Sequence, residues 1–338
     1  MKKIFNKQNN FLFALVGMII LAKIIPYRDE YNGVFNLNRF IDWGICIIFL
    51  LYGLKLNIKE VFRDIKNWKL HLLVQVGTFV LFPLLVALFY PLAKGTDYQL
   101  VWLTIFFLAS LPSTVSSSVV MVSIAKGNIT SAIFNASISG LIGIVATPLL
   151  MGFFLENTSA EVNQGEIIQQ LLLKVLLPIV LGLLLNPLLK KWVDKYSKWI
   201  GQFDRFIILL IVYESFSDAF VKQIFLSVSP MVFVIIAGAS VALFFIVYEV
   251  LKRISHALGF NREDTITTTF CGSKKSLVHG SLFVMVLGIP ETQKVLYLLP
   301  IMLYHSFQLF YVSWLANRIG QGADKSEKRR VNSEKCPL

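Results

Sequence analysis

Charge is scarce in this 338-residue chain: Asp, Glu, Lys and Arg make up 15% of it, against about 25% in a soluble globular domain. Cysteine is scarcer still. Cys46 and Cys271 lie in apolar stretches and Cys336 near the C-terminal end, so no disulfide framework can be built on them. Four histidines are present, and Gly-x-Ser-Gly, His-Glu-x-x-His and Asp-rich prenyl-diphosphate motifs are absent. Those absences exclude an ordinary soluble enzyme and leave no familiar catalytic signature. What the chain has in excess is apolar residues, at 56% with mean hydropathy +0.67, in blocks of roughly 17–25 residues that match a hydrocarbon core about 30 Å thick. Disorder and nucleic-acid binding are excluded with it. The chain reads as an all-α polytopic membrane protein.

About ten spans are expected, near 11–26, 39–55, 69–91, 99–125, 128–154, 167–188, 203–221, 227–251, 264–288 and 293–317. The blocks are continuous and rich in Leu, Ile and Phe rather than alternating, which argues for helices and against a barrel. The first block follows Met1-Lys2-Lys3 without an Ala-x-Ala-like cleavage site, so it reads as an uncleaved span rather than a signal peptide. Net charge is +12, and 23 of the 32 basic residues fall in alternate connecting segments. The opposite set contains the acidic loop with Glu156, Glu161 and Glu166. Basic loops mark the cytoplasmic side, so both termini are expected there, and a bacterial inner membrane fits the short loops. The basic residues set topology rather than bind nucleic acid. The segment 319–338, with Lys325, Lys328, Arg329, Arg330 and Lys335, reads as an unstructured anchor able to meet anionic lipid.

Residues 44–61 resemble 205–222: each is an apolar run, then a hydrophobic-Tyr pair, then a polar turn. Span four is interrupted by Pro-Ser-Thr-Val-Ser-Ser-Ser (112–118) and span nine by Cys-Gly-Ser-Lys-Lys-Ser (271–276). Five spans per half is odd, so two similar halves must be oppositely oriented. Inverted repeats with matching broken helices are a transporter pattern. Pro112 removes an amide donor and Gly272 weakens its helix. The exposed dipole ends, with the hydroxyls of Ser113, Thr114, Ser116, Ser117 and Ser118, then become candidate ligands for ions or substrate; the alternative is close packing of small residues.

Lys274 and Lys275 fall in the middle of span nine, beside Ser273 and Ser276. A charge at mid-bilayer costs at least about 2.5–3.5 kcal/mol, so it marks a functional site by default. Adjacent residues point about 100° apart on a helix, so at least one lysine faces the interior, to attract an anion or to occupy a cation site. Glu214 is the deeper of two acidic residues on span seven and is expected to pair with a span-nine lysine or line the pathway; Asp218 shares its face. Asp42 and Asp204 fall near span ends. Asn135 and Ser137 on span five, and His305 and Gln308 on span ten, are candidate pathway or interhelical groups. His71 and His256 read as interfacial, and His279 is open to either reading.

The strings LYGLKLNIKEV (51–61), NWKLHLLVQVGTFVLFPLL (67–85), LPSTVSSSVVMVSIAKGNITSAIFNASISGLIG (111–143), FCGSKKSLVHG (270–280) and YHSFQL (304–309) resemble the bile acid:sodium symporter family, in its SBF-like branch. The resemblance covers about residues 11–318. It implies one transporter domain of two inverted five-helix repeats, with spans 1, 2, 6 and 7 forming a panel and spans 3–5 and 8–10 a core. Broken spans four and nine would cross. By position Ser117 and Ser118 match a sodium-ligating Ser-Asn pair, with Asn135 and Ser137 near the other ligands. The chain departs from the pattern at Phe270 and Lys274, where sodium-coupled members carry Glu and Gln. An ammonium there is electrostatically hostile to a two-sodium site.

The resulting expectation is secondary active transport of a small organic anion by alternating access, coupled to sodium. The alternative is a proton-coupled or facilitative carrier or channel in which Lys274 replaces a sodium ion, or a membrane protein with a regulatory role and no transport. No cofactor is expected beyond a sodium ion where transport is sodium-coupled, and the coupling partner is sodium or a proton. An intramembrane enzyme built on Ser273 and Lys274 is disfavoured, because neighbouring helical residues point apart.

Overall fold

A computed structural model describes residues 2–27, 36–55, 67–114, 116–155, 169, 172–223 and 229–334, and among them there are helices and no strand. The acidic loop at 156–166 and the basic residues Lys59, Arg63 and Lys66 lie outside the described residues. The apolar runs become α1 (Lys2–Ile24), α2 (Leu37–Lys55), α3 (Trp68–Val76), a π turn (Gly77–Leu81) leading into α4 (Phe82–Ala87), α5 (Gln99–Ser110), α6 (Ser116–Ile124) and α7 (Ile129–Leu155). A second π turn (Leu172–Leu176) opens α8 (Leu177–Val221); then come α9 (Pro230–Ala257), α10 (Arg262–Gly272), α11 (Leu277–Val286) and α12 (Glu291–Glu334).

Six stretches among the described residues are long and apolar enough to cross a membrane: Leu37–Lys55, Trp68–Ala87, Ile129–Phe154, Leu173–Val193, Pro230–Ala257 and Glu291–Gly322. Their surfaces carry large apolar side chains, with Trp43, Phe153 and Leu184 at 71, 71 and 69% exposure. Apolar surface on that scale belongs against acyl chains. α5, with 12 residues, is about 18 Å long and cannot span alone. It and α6 are separated at Pro112, and α10 and α11 are separated after Gly272, at the two places where the sequence predicts breaks.

α8 replaces the two expected spans 167–188 and 203–221 with one helical run, and its contacts require that run to reverse. Gly182 touches Gly53 of α2, and Ile207 touches Gly44. A straight helix would hold residues 182 and 207 about 37 Å apart, whereas positions 44 and 53 of α2 are about 14 Å apart. The first limb runs alongside α2, with Lys174 on Asp42 at 3.0 Å and Asn186 donating to the Leu54 carbonyl at 2.6 Å. The second limb returns: Asp204 pairs with Lys55 (3.7 Å) and Tyr213 donates to the Ile25 carbonyl (2.7 Å). Small residues let α2 and α8 approach to backbone contact, as membrane helices do where apolar burial gives no net drive.

Two other expectations are corrected. α1 begins at Lys2, ahead of the apolar block, and α12 continues as helix to Glu334 where an unstructured tail was expected. No proline follows Pro300 inside α12, and the good helix formers Ala323, Lys325, Glu327, Lys328, Arg329 and Arg330 carry the helix on past the unfavourable Gly320 and Gly322.

Caps set the registers around the breaks. Asn261 accepts the Asp264 amide at 2.7 Å to start α10. Asp264 in turn accepts from Asn67 (3.1 Å) and Asn128 (2.8 Å), tying the start of α10 to α3 and to the α6–α7 turn. Asn261→Ala is expected to cost about 1 kcal/mol, a fall of roughly 2–4 °C in detergent thermal unfolding; an unchanged midpoint would show the cap to be idle. Behind the second break, Phe244 of α9 meets Tyr304 and Phe307 of α12 edge-on at 6.1 and 5.4 Å, seating α12 against the site.

Candidate functional site

The two breaks lie against each other and satisfy each other's main chain. A helix end leaves its last carbonyls without partners, and inside a membrane protein these must find other donors. At the end of α5, the Ser110 carbonyl accepts from Thr147 (2.8 Å) and the Pro112 carbonyl from the Ser276 amide (2.9 Å). The Ser113 amide donates to Ser139 Oγ at 2.9 Å, and Ser113 Oγ donates to the Cys271 carbonyl at 2.5 Å. At the end of α10, the Ser273 carbonyl accepts from Tyr304 (2.5 Å), while Ser273 Oγ bonds back to Thr269 (2.6 Å). Ser276 caps α11, accepting the His279 amide at 3.3 Å. Ser116 is the first residue of α6. Gly272 sits where a Cβ would come within 2.6 Å of Leu251, and Gly143 presses on Pro112 in the same way.

Lys274 and Lys275 are both fully buried and do different things. Lys275 Nζ donates to three main-chain carbonyls: Thr78 at 2.8 Å, Ala109 at 2.6 Å and Leu111 at 2.7 Å. It also lies 4.2 Å from the Phe82 ring centroid. The Lys275 peptide unit is held by Gln308, whose Oε1 accepts from its amide (3.0 Å) and whose Nε2 donates to its carbonyl (2.8 Å). Gln308 Nε2 also meets His305 Nδ1 at 2.9 Å. Lys274 Nζ donates to the Ser117 carbonyl at 3.0 Å. Glu214 pairs with neither lysine and is not among the residues that wall the polar cavity beside the breaks. It is buried, bonded by Ser215 (3.1 Å) and within electrostatic reach of Lys294 and Glu291, while Asp218 pairs with Lys222 at 2.8 Å. Lys275 is satisfied by main-chain carbonyls at the end of α5 and in the π turn, without a carboxylate, whereas Lys274 has the single carbonyl of Ser117 in the first turn of α6.

The hydroxyls of Thr114, Ser117 and Ser118 bond to one another, with Ser117 donating to Thr114 at 2.8 Å and Thr114 and Ser118 also 2.8 Å apart. Asn135 turns away toward α3: its Nδ2 donates to the Ser131 carbonyl and meets His71 Nδ1, both at 2.9 Å, and its Oδ1 accepts from Gln75 (3.1 Å). His71 is therefore a buried partner rather than the interfacial residue expected, whereas His256 is exposed. Ser137, two residues along α7 from Asn135, bonds to its own helix at Ile133 (3.0 Å) and lines a cavity. Of the four side-chain positions expected around sodium, Ser117 and Ser137 line one cavity, Ser118 is joined to Ser117 through Thr114, and Asn135 turns away.

That cavity, of about 490 Å³, is walled on one side by Thr114, Ser117, Ser137, Ser276, His279 and His305, and on the other by Tyr52, Lys55, Ser197, Asp204 and Arg205. His279, open to either reading from sequence, is a wall residue. Its Nδ1 is 2.9 Å from Ser276 Oγ, and its ring faces Tyr52 at 5.3 Å. Asp204 Oδ2 pairs with Lys55, and Oδ1 is buried without a hydrogen bond.

Several residues of the site carry little signal in the sequence. Thr78 lies in the π turn and Pro83 in the α4 helix that follows it, and together they free a carbonyl for Lys275; a proline inside an uninterrupted apolar run was the available clue. Ser139 and Tyr304 lie near the candidate polar residues Ser137 and His305, and packing explains them equally well, so nothing local singles them out.

Apolar helices of membrane length, gathered around two facing breaks and a polar cavity, define a multi-pass membrane protein. The SBF-like CPA transporter family model matches residues 9–321, and the chain belongs to that family. It is 33% identical over 331 residues to YfeH of Escherichia coli (strain K12), covering 98% of each chain. It is similarly 33% identical over 320 residues to PA2026 of Pseudomonas aeruginosa, covering 94% of each, and 29% identical over 313 residues to Sodium/bile acid cotransporter 7-B of Xenopus laevis, covering 91% of each. A transporter class follows from the family; catalysis is not what its members are named for.

Proposed function

We propose that this protein is a secondary active transporter that moves a small organic anion by alternating access across the bacterial inner membrane, with both termini cytoplasmic. Residues 11–318 form one transporter domain of two inverted five-helix repeats, with a panel of spans 1, 2, 6 and 7, a core of spans 3–5 and 8–10, and a basic segment at 319–338 that meets anionic lipid. The observation that carries this reading is the cavity. One wall comes from α2 and α8 and the other from the two breaks, α7, α11 and α12, which supports a site between panel and core. Lys55 and Arg205 outnumber Asp204 on the first wall. Lys274, on the Ser117 carbonyl, adds positive charge behind the second. That balance favours an anionic ligand.

The test is uptake of labelled carboxylates, sulfonates and phosphates by proteoliposomes under a sodium, proton or no ion gradient. Arg205→Gln is expected to raise the KM for the transported anion about tenfold with little change in maximal rate, the pattern for lost binding charge. An unchanged KM, or currents typical of a channel, would end the organic-anion carrier reading.

Ion coupling has two readings. Sodium is supported by the cotransporter name of a relative. A proton-coupled or facilitative cycle is favoured by Lys274, which brings an ammonium to the Ser117 carbonyl beside the hydroxyl cluster. Thermal stability against sodium chloride, with potassium chloride at equal ionic strength, separates them: a sodium-specific saturable rise requires a sodium site. Lys274→Ala that left both transport and ion dependence unchanged would remove Lys274 from either cycle.

A further inference from the structure

We infer that the three carbonyls around Lys275 form a monovalent-cation site that the chain fills with its own ammonium. Each carbonyl is free for a local reason. In the π turn the Phe82 amide donates to Gly77, so the Thr78 carbonyl would look one residue further, to Pro83, which has no N–H. The helical partner of the Ala109 carbonyl would be the Ser113 amide, and that amide donates to Ser139 instead. Leu111 has left the helix, with ψ at 152°, and its carbonyl points outside any helical ladder. Two irregularities far apart in sequence thus converge three oxygens on one point.

An ammonium has three N–H donors and no acceptor, and here all three are used, at 2.6–2.8 Å. The Phe82 face closes one side, and the negative end of the α5 dipole supplies charge balance. Among the described residues, the ammonium's hydrogen bonds go to carbonyls alone and no carboxylate forms an ion pair with it. Such a cage is matched to one positive charge. Lys274 beside it has one carbonyl partner, so the closed cation cage belongs to Lys275. With the ammonium tethered between α10 and α11, no ion has to enter for α5, the π turn and the second break to stay together. Cation dependence of transport, where it exists, arises elsewhere.

The test uses the full chain purified in detergent and does not depend on what is transported. Lys275→Ala excises the equivalent of propylammonium. Its unfolding temperature is expected to fall by about 10 °C and to recover saturably with n-propylammonium chloride, while the wild type does not respond. Tetramethylammonium, which has the charge but no N–H, is expected to give no recovery. An alanine variant as stable as wild type, or one restored equally by tetramethylammonium, would overturn the site. Lys275→Met separates charge from volume. It is expected to lose as much as alanine, or to fail to fold, and to gain nothing from propylammonium because its own side chain fills the space. A methionine variant matching wild type would equally overturn the proposal.

Discussion

Gln308→Leu is expected to lower the detergent unfolding temperature by about 10 °C, from the cost of one buried amide and one buried carbonyl left unpaired at about 1–3 kcal/mol each. Gln308 is fully buried, and its carboxamide pairs with both hydrogen-bonding groups of the Lys275 peptide unit, at 3.0 and 2.8 Å. It acts there as a neighbouring strand would, satisfying an extended backbone that has no helical partner. Leucine is similar in volume, so little of the loss can come from packing. The substitution also frees His305, which lines the cavity and meets Gln308 Nε2 at 2.9 Å. A weaker apparent affinity for the transported solute is therefore expected alongside the lower midpoint. Thermal unfolding followed by near-ultraviolet circular dichroism checks the first effect and proteoliposome uptake the second. A midpoint within 2 °C of wild type, by the scale of about 2–4 °C per kcal/mol, would mean that water or relaxation supplies the missing partners.

Gly182→Val is expected to be the more damaging of the two. A Cβ on Gly182 would stand 2.2 Å from the Leu50 carbonyl oxygen and 2.9 Å from the Leu54 nitrogen. The reciprocal Cβ on Gly53 would stand 2.2 Å from the Ile179 carbonyl oxygen. These are backbone atoms, which cannot rotate away, so α2 and α8 must separate. Separation lengthens the 2.6 Å bond from Asn186 to Leu54 and weakens the Lys55–Asp204 pair at the cavity. A cost of about 3 kcal/mol or more is expected from overpacking alone, seen as loss of monodisperse protein or a large fall in midpoint. Gly238→Val is the control. It puts the same group on another membrane helix, α9, where nothing lies within 4 Å, and is expected to stay close to wild type. Equal behaviour of the two variants would show that the α2–α8 contact does not set stability.

The broken helices were legible because their cause is local. Pro112 with its polar neighbours, and Gly272 followed by two lysines, interrupt apolar runs, and the breaks fall there in the fold. The membrane class was legible from block length alone. The reversal inside α8 was legible as two spans separated by Lys190, Lys191, Lys195 and Lys198, although the backbone stays helical from Leu177 to Val221. The partners of the site were not legible. Glu214, the obvious counter-charge by composition, lies near Lys294, while Lys275 is satisfied by carbonyls, which every residue has and which carry no signal in the sequence. Asn135 and Ser137 looked alike as polar residues of one span, yet one bonds to His71 and the other faces the cavity. Two positions differ by about 200° around a helix, so their settings depend on which helix packs on which side.

Composition, apolar block length and the placing of proline, glycine and charge suffice to settle that this chain is a multi-pass helical protein, where its helices break and that at least one lysine of the second break faces the interior. Those are properties of a segment in hydrocarbon, where the backbone must bond within itself or to what lies beside it. That both lysines are buried is decided by the fold. Which carbonyl each ammonium finds, which glycines touch and which polar groups share a cavity depend on contacts between residues as far apart as Thr78 and Lys275. The packing of the helices sets those contacts, because a freed backbone oxygen accepts from whatever donor the fold brings near it.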